Sequence, residues 1–371
     1  MENAISYAGL DVHKVEIVVA LYRPGATDPI EWRVGTDDRS VKRLARRLLE
    51  ESGGRVECVY EAGPTGFVLQ RQLGACGVRC EVAAPSLVPV KPGEQVRTDR
   101  RDARKLGRYL RSGELTMVRA PSEAEEAARE LCRHRTRVSQ QLTESRQRMG
   151  QLLLRRGRIY RRKRWTKAHR DWLRAVTFEH VYDDEVFTDH LQELEWLESR
   201  LGEIERKVEA LADSETYRER VGWMRCFRGF DRINAVTILT ELHGIERFAT
   251  ARGLMAFLGL TPKEDSSGPR RRRGSITHAG NEHVRWLLVQ SAWNQRHRVR
   301  VSEQLRRRRQ EQPPEVIALA DRAMKRLHDR YVHLIWTRSL APQKAVVAIA
   351  RESVGFLWAL LVHYPQVHRQ A

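Results

Sequence analysis

Apolar positions at the start of the chain fall into short runs rather than helical stripes. Residues 5–10 and 15–22 are β-branched and apolar, parted by the polar stretch Asp11 to Lys14, and Pro24-Gly25 then breaks the chain. Glu31 to Val34 alternates as a third strand does. The period then changes. Val41, Leu44, Leu48 and Leu49 predict a helix over 39–51, Val56 to Tyr60 a strand, 65–75 a second helix, and Val78 to Ala83 another strand. Residues 84–98 hold three prolines and little period, so they read as a loop. Thr98 then predicts an N-cap for a helix to about 112. Three strands followed by alternating helix and strand is the order of the ribonuclease-H-like α/β fold.

From about 122 the pattern is helical. Pro121-Ser-Glu-Ala-Glu-Glu starts a helix, with Ser122 as its N-cap, along which Leu131, Val138, Leu142, Met149 and Leu152 recur at heptad-like spacing. Phe187 precedes a second series, Leu194, Leu197, Leu201, Ile204, Val208 and Leu211, which alternates steps of three and four. Such a series predicts a coiled-coil seam, closed within one chain, across a dimer, or both. Further on, Cys226 to Leu239 reads as a Gly-centred turn and an apolar helix. That is the second half of a helix-hairpin-helix, or equally a tight corner between helices. Phe248 to Leu260 leads into an expected loop, Thr261 to Asn281, and His283 to Trp293 resumes as helix. Val354 to Leu361, with Trp358, reads as a core helix. The chain is thus α/β followed by all-α, with domains expected at 1–112, 113–218 and 219–371.

Charge narrows the function. A formal charge of +19 and a pI near 10.3 call for a polyanionic partner, nucleic acid ahead of an anionic membrane. No unbroken apolar run reaches the roughly 18 residues a spanning helix needs, so no membrane is expected. The start, Met-Glu-Asn-Ala-Ile-Ser, has neither the basic region nor the apolar stretch of a signal peptide. Five cysteines form no Cys-x-x-Cys pair and no zinc pattern, as suits reduced thiols in a cytoplasmic protein.

Against that positive background four acids stand out: Asp11, Glu61, Asp99 and Asp102. Asp11 and Glu61 follow strands, where sites gather in open sheets. Asp99 and Asp102 lie at i and i+3, on one helix face. Thr98 and Asp99 also suit simple capping. Taken with Asp11 and Glu61, the pair suits a two-Mg²⁺ site, in which the metals clamp the attacking and leaving oxygens of a phosphodiester. The densest basic segment holds Arg155, Arg156, Arg158, Arg161, Arg162, Lys163, Arg164 and Trp165. Its interleaved Tyr160, Trp165 and Trp172 predict base stacking beside phosphate contacts, against the alternative of a solvated helix end. Ser266-Ser267-Gly268 offers a hydroxyl that can attack phosphorus, with Arg270, Arg271, Arg272, Arg273 and Arg285 as sources of charge, although most such segments are plain loops.

The segments Gly9-Leu-Asp-Val-His-Lys14, Tyr60-Glu-Ala-Gly-Pro64 and Thr98-Asp-Arg-Arg-Asp-Ala-Arg-Lys105 resemble the DEDD transposases of the insertion-sequence 110 family, relatives of the Piv invertase. Phe257-Leu-Gly-Leu-Thr-Pro262, Ser267-Gly268 and Gly274 to Asn281 through Arg285 resemble that family's second domain. The resemblance implies a RuvC-like domain whose Asp11, Glu61, Asp99 and Asp102 bind Mg²⁺, with Mn²⁺ as a substitute. It implies Ser267, or Ser266, as a nucleophile that holds DNA covalently in a composite site. It also implies a bridge RNA pairing with donor and target DNA, a homo-oligomer (a dimer, or a tetramer in the synaptic complex), and a prokaryotic cytoplasmic, nucleoid-associated setting. Residues 297–345 extend the C-terminal domain as in the longer subgroup. Two rivals remain at this level: a RuvC-like junction nuclease using metal-activated water, and a non-catalytic nucleic-acid-binding coiled-coil protein.

Overall fold

A computed structural model describes residues 4–89, 98–267 and 270–365, with backbone alone at 265–267 and 270–273. The chain divides into two compact units, Met1–Ser122 and Glu123–Ala371.

In the first unit, β1 (Ser6–Val12), β2 (Glu16–Tyr22) and β3 (Ile30–Gly35) form an antiparallel meander. α1 (Asp38–Ser52) leads to β4 (Val56–Glu61), which joins β1 in parallel. α2 (Val68–Ala75) leads to β5 (Arg79–Ala83), parallel to β4. α3 (Asp99–Ser112) precedes β6 (Met117–Val118), antiparallel to β5, and the sheet order is β3-β2-β1-β4-β5-β6. Every strand and helix expected from the hydrophobic pattern is present. β6 was not expected, because two residues carry no period. The expected loop at 84–98 holds a 3₁₀ turn at Pro85–Leu87, and 90–97 lie outside the described residues.

Local chemistry explains these elements. Asp37 Oδ1 accepts from the Ser40 backbone N–H at 3.1 Å and starts α1, whose Val41, Leu44 and Leu48 face the sheet. Ile17, Val19 and Leu21 of β2 share a core with those side chains, while Val18 and Ala20 pack with Ala103 of α3. Burial on both faces is why β2 reads as an unbroken apolar run.

In the second unit, α4 (Glu123–Arg155) and α6 (Val181–Ala212) lie side by side, with α5 (Lys167–Arg174) between them in sequence. The ion pairs Arg135–Glu205, Arg146–Glu198 and Arg156–Asp183 show that the two long helices run antiparallel. Val138 and Leu142 meet Leu194, Leu197, Ile204 and Val208 in their seam. There follow α7 (Arg218–Arg225), α8 (Arg232–Leu242) and α9 (Ala251–Phe257), a hairpin of β7 (Pro262–Ser267) and β8 (Arg270–Ile276), and then α10 (Glu282–Ala292), α11 (Glu303–Arg308), α12 (Pro314–Val332) and α13 (Pro342–Trp358). The seam of α4 and α6 is continuous with the core of α8, α10, α12 and α13, so the middle and last regions of the chain share one interior.

One expectation is corrected here. α13 continues through a π turn, so Pro342–His363 is long and apolar enough, by length and composition, to cross a membrane. Arg351 and Glu352 interrupt the run in the sequence without lowering its hydropathy enough. Within the fold 56 % of its most apolar 18-residue window is buried, and Ile349, Val354, Leu357 and Leu360 sit in the core, as a buried helix requires. All five cysteines are free thiols, and Cys76 alone among them is not fully buried.

Candidate active site

Strand alternation decides which side chains share a face. Ala8 and Leu10 of β1, with Cys58 and Tyr60 of β4, pack in the core with α1 and α2. Gly9, Asp11, Val59 and Glu61 therefore face α3. β1 and β4 are in register, Gly9 opposite Val59 and Leu10 opposite Tyr60. Asp11 and Glu61 are the next residues along, on neighbouring strands about 4.8 Å apart.

α3 lies directly on β1. A Cβ at Gly9 would stand 2.0 Å from the Ala103 carbonyl oxygen and 2.4 Å from the Gly107 nitrogen. From that contact the strand advances two residues to Asp11 while the helix runs back one turn to Asp102 and Asp99, each a step of about 5–7 Å. Thr98 Oγ1 accepts from the Arg101 backbone N–H at 3.4 Å, so the capping reading of this segment also holds. β3 fixes the same end of the helix. Glu31 accepts from Arg104 Nη2 at 3.0 Å and from Arg100 Nε at 3.1 Å. The Arg104 hydrogen bonds foremost, with burial opposing and Arg100 assisting, hold the Glu31 carboxyl down to about 2.

At the carboxyl end of β1, His13 Nε2 lies 3.0 Å from Asp11 Oδ2 and 3.5 Å from Asp99 Oδ1. One ligand atom from each of the three residues falls within 4.8 Å of the others. Burial raises the Asp11 pKa, and the negative charges of Asp99 and Asp102 push it further against the His13 hydrogen bond. That hydrogen bond in turn raises the pKa of His13. Converging carboxylate oxygens suit a hard divalent cation, and the imidazole stands where positive charge is called for. The residues therefore fit a metal. Asp102 is half-buried and Glu61 exposed; both lie on this face without joining the tight group. The pattern of acids alone does not point to His13. Its signal was the spacing Asp11-Val-His13, which returns to the same side of the chain. Beside the group, a cavity of about 590 Å³ is lined by Val12, His13, Lys14, Thr36, Pro64 and Thr65 among others.

In the second unit, the stretch 261–281 is not the expected loop. β7 and β8 pair antiparallel, Ser267 opposite Arg270 and Ser266 opposite Arg271. Between Pro262 and Ile276 these strands carry no apolar side chain, which hid the alternation. The side chains of Ser266, Ser267 and Arg270 to Arg273 lie outside the described residues, as do Gly268 and Pro269.

The base of this hairpin is tightly built. Gly280 has φ +68°, and a Cβ there would stand 1.7 Å from the Phe257 carbonyl oxygen. Arg285, expected to meet nucleic acid, is instead 9 % exposed. Its Nη1 donates to the Leu258 and Ala279 carbonyls, both at 2.9 Å, and so ties together the segments that enter and leave the hairpin. The Glu241 side chain is fully buried and accepts from Arg133 Nε at 2.7 Å and Asn281 Nδ2 at 2.8 Å, with His283 Nδ1 at 3.0 Å. Burial alone would raise its pKa. The hydrogen bonds from His283, Arg133 and Asn281 overturn that and hold the carboxyl well below the usual range. Sequence reading missed Glu241, which lies in an apolar helix with its partners far away in the chain.

The basic tract is also rearranged. Tyr160, Trp165 and Trp172 do not alternate outward with the charges. Tyr160 packs on His169 at 4.7 Å and on Trp172 at 5.2 Å, while Trp165 meets His169 edge-on at 4.9 Å and carries Arg146 over its ring. Aromatic area is worth more buried than interleaved with solvated charge. Arg156 pairs with Asp183, and Arg158 donates to the Thr177 carbonyl. Arg155, Arg161, Arg162, Lys163 and Arg164 are exposed. At Gly229 the structure has a turn between α7 and α8, with Asp231 and Asn234 forming a capping box on α8.

A mixed sheet that gathers acidic side chains at its strand ends, joined in one basic chain to a helical unit, belongs to the class of enzymes that cut and rejoin DNA. Residues 8–156 match a family model described as "Transposase", of the IS110 DEDD type, and residues 225–308 match the "Transposase IS116/IS110/IS902 family". The chain is 36% identical over 358 residues to "Putative transposase y4qE" of Sinorhizobium fredii, covering 96% of this chain and 88% of that one. It is 31% identical over 333 residues to "Transposase for insertion sequence element IS1533" of Leptospira borgpetersenii, covering 88% and 96%. This chain belongs to the IS116/IS110/IS902 transposase family and is a transposase. The first matched segment spans all four acids and the second spans the serine hairpin with Arg285, and the DEDD family implies a divalent metal.

Proposed function

We propose that this transposase cuts and rejoins DNA through a serine–DNA intermediate, with Asp11, Glu61, Asp99 and Asp102 of a RuvC-like, ribonuclease-H-like unit holding Mg²⁺ (or Mn²⁺). The observation that carries this reading is the convergence of Asp11, Asp99 and His13 at the end of β1, beside the strand that ends in Glu61. Bound there, the cation supplies Lewis-acid polarisation of a phosphodiester oxygen. His13 orients the Asp11 carboxylate. Ser267 Oγ bonds to phosphorus as the bond from phosphorus to the leaving sugar oxygen breaks. The serine proton passes to a base, and the leaving oxygen takes up a proton. Attack by an incoming sugar hydroxyl then restores the serine and joins the new strand. Arg270 to Arg273 steady the phosphate by their charge, and a bridge RNA pairs with donor and target DNA.

In this reading the antiparallel pair α4–α6 is an intrachain coiled coil, and 113–218 presents the basic loop to nucleic acid. Residues 219–371, with the 297–345 extension, carry the serine. The protein works as a homo-oligomer, a dimer that forms a tetramer in the synaptic complex, in the prokaryotic cytoplasm on the nucleoid. Incubating protein, RNA and DNA with Mg²⁺ is expected to trap a covalent protein–DNA adduct that Ser267→Ala abolishes. Loss in Ser266→Ala instead moves the role to the neighbouring serine. Clean hydrolysis that survives both substitutions identifies a junction nuclease using water.

A further inference from the structure

The segment that follows α10 folds back on the turn between α7 and α8. Arg228, in that turn, donates from Nη1 to the His297 carbonyl and from Nη2 to the carbonyls of Arg298 and Arg300, each at 2.9 Å. Arg308 Nη1 donates to the Phe230 carbonyl at 3.0 Å. These bonds pin residues 297–308 beside Gly229 and frame a cavity of about 620 Å³.

Its charge is unbalanced. Arg228, His297, Arg298, Arg300 and Arg308 line it, and the one acid on its wall is Asp231. Asp231 Oδ1 is committed to the Asn234 backbone N–H at 2.8 Å, capping α8. Arg228 and Arg308 bond to carbonyls and have no carboxylate partner among the described residues, and the exposed guanidiniums of Arg298 and Arg300 make no hydrogen bond or ion pair there. Neighbours outside the cavity are treated differently. Arg306 and Arg307 pair with Glu303, and Arg309 with Asp321. Acids are thus supplied along this stretch except where the arginines converge. Burial first, and then nearby arginines, lower the pKa of both Arg225 and Arg228. Crowded guanidiniums of this kind are relieved by an anion, and their forked donors match the oxygens of a phosphate.

We infer that the cavity framed by Arg228, Arg298, Arg300 and Arg308 binds a backbone phosphate of a nucleic acid. It is a second anchor, separate in sequence from the 155–165 tract, and it is built by the start of the 297–345 extension. That the phosphate is a polynucleotide's rests on the function proposed above; the arginine–phosphate chemistry does not.

The test uses the full chain without Mg²⁺, a labelled DNA duplex and a labelled RNA hairpin. Affinity is read by anisotropy between about 50 and 300 mM KCl. Arg298→Gln with Arg300→Gln is expected to lower the log–log salt slope by about 2 for at least one probe and to weaken its binding about tenfold or more. Arg306→Gln with Arg307→Gln removes the same charge from paired guanidiniums and is expected to lower the slope by less than about 1. Arg298→Lys with Arg300→Lys is expected to keep most of the slope, and the melting midpoint checks folding throughout. A loss confined to DNA or to RNA assigns the phosphate to that polymer. Equal losses in the two Gln pairs, no loss in either, or as great a loss in the Lys pair overturns the site. Binding without metal involves no chemistry, so failure of the serine or metal assignment leaves this readout untouched.

Discussion

A Cβ placed on Gly107 would stand 3.0 Å from the backbone nitrogen of Gly9 and 2.9 Å from Cε2 of the Tyr22 ring, so α3 rests closely on β1 with Tyr22 beside the contact. This contact sets how deeply the acidic end of the helix reaches over the strand that ends in Asp11. Gly107→Ala is expected to cost about 1–3 kcal/mol of stability through overpacking. By moving Asp99 and Asp102 about 1 Å it should also lower DNA cleavage by about 10²-fold. Cleavage rate and melting midpoint measured on the same protein separate the two effects, and wild-type cleavage would show that the contact does not position the acids.

Asp11→Ala and Asp102→Asn are each expected to abolish recombination. Glu61→Gln should weaken Mg²⁺ binding, as read by calorimetry. Recombination that survives both Asp11→Ala and Asp102→Asn would end the metal reading. His13→Ala should leave folding intact while loosening Asp11, which appears as a raised Mg²⁺ requirement rather than complete loss.

Glu31 gives a pH dependence with a definite sign. Its carboxyl is held at about 2 in the fold against 4.5 ordinarily, so its pairing with Arg104 and Arg100 contributes stability above about pH 4.5. That contribution is lost as pH falls from 4.5 toward 2. Glu31→Gln should lower the melting midpoint at pH 6 by several degrees, about 1 kcal/mol. The gap between the two proteins should close on acidification, and a gap constant with pH would contradict the pairing.

Glu241 is a buried carboxylate whose partners come from α4, from α10 and from the segment before α10. Glu241→Ala strands Arg133 and is expected to cost about 3–5 kcal/mol in denaturant unfolding. Arg133→Ala should be comparable, and the double variant should lose less than the sum of the two. Additive losses would mean that the two residues act independently.

Replacing Arg161, Arg162, Lys163 and Arg164 by Gln is expected to weaken nucleic-acid binding and flatten its salt dependence. Trp172→Ala should instead lower the melting midpoint while leaving the salt slope unchanged, because its ring packs on Tyr160 and His169. An unchanged slope in the basic variant would place the tract in solvent.

The order of β1 to β5 and α1 to α3 was legible because each of these elements carries an apolar pattern set by the faces it buries, whereas the two-residue β6 carries none. The acids were legible for a related reason: Asp11, Glu61, Asp99 and Asp102 fall where strands end and a helix begins, which local pattern reveals. The hairpin at 262–276 was not, because between Pro262 and Ile276 its strands hold no apolar side chain and so leave no alternation to read.

By itself, the sequence determined the α/β-then-helical layout, the positions of the four acids, the helical periods of α4 and α6, and the family resemblance. Tertiary structure decided what those residues touch. It turned Arg285 inward onto two carbonyls, folded the tract's aromatic rings onto one another, and brought His13 between Asp11 and Asp99. It also joined Glu31 to α3 and Glu241 to Arg133. The reason is physical: periodicity records which side of an element is buried, whereas an arginine's or a carboxylate's partner depends on which distant element the chain brings within about 3 Å.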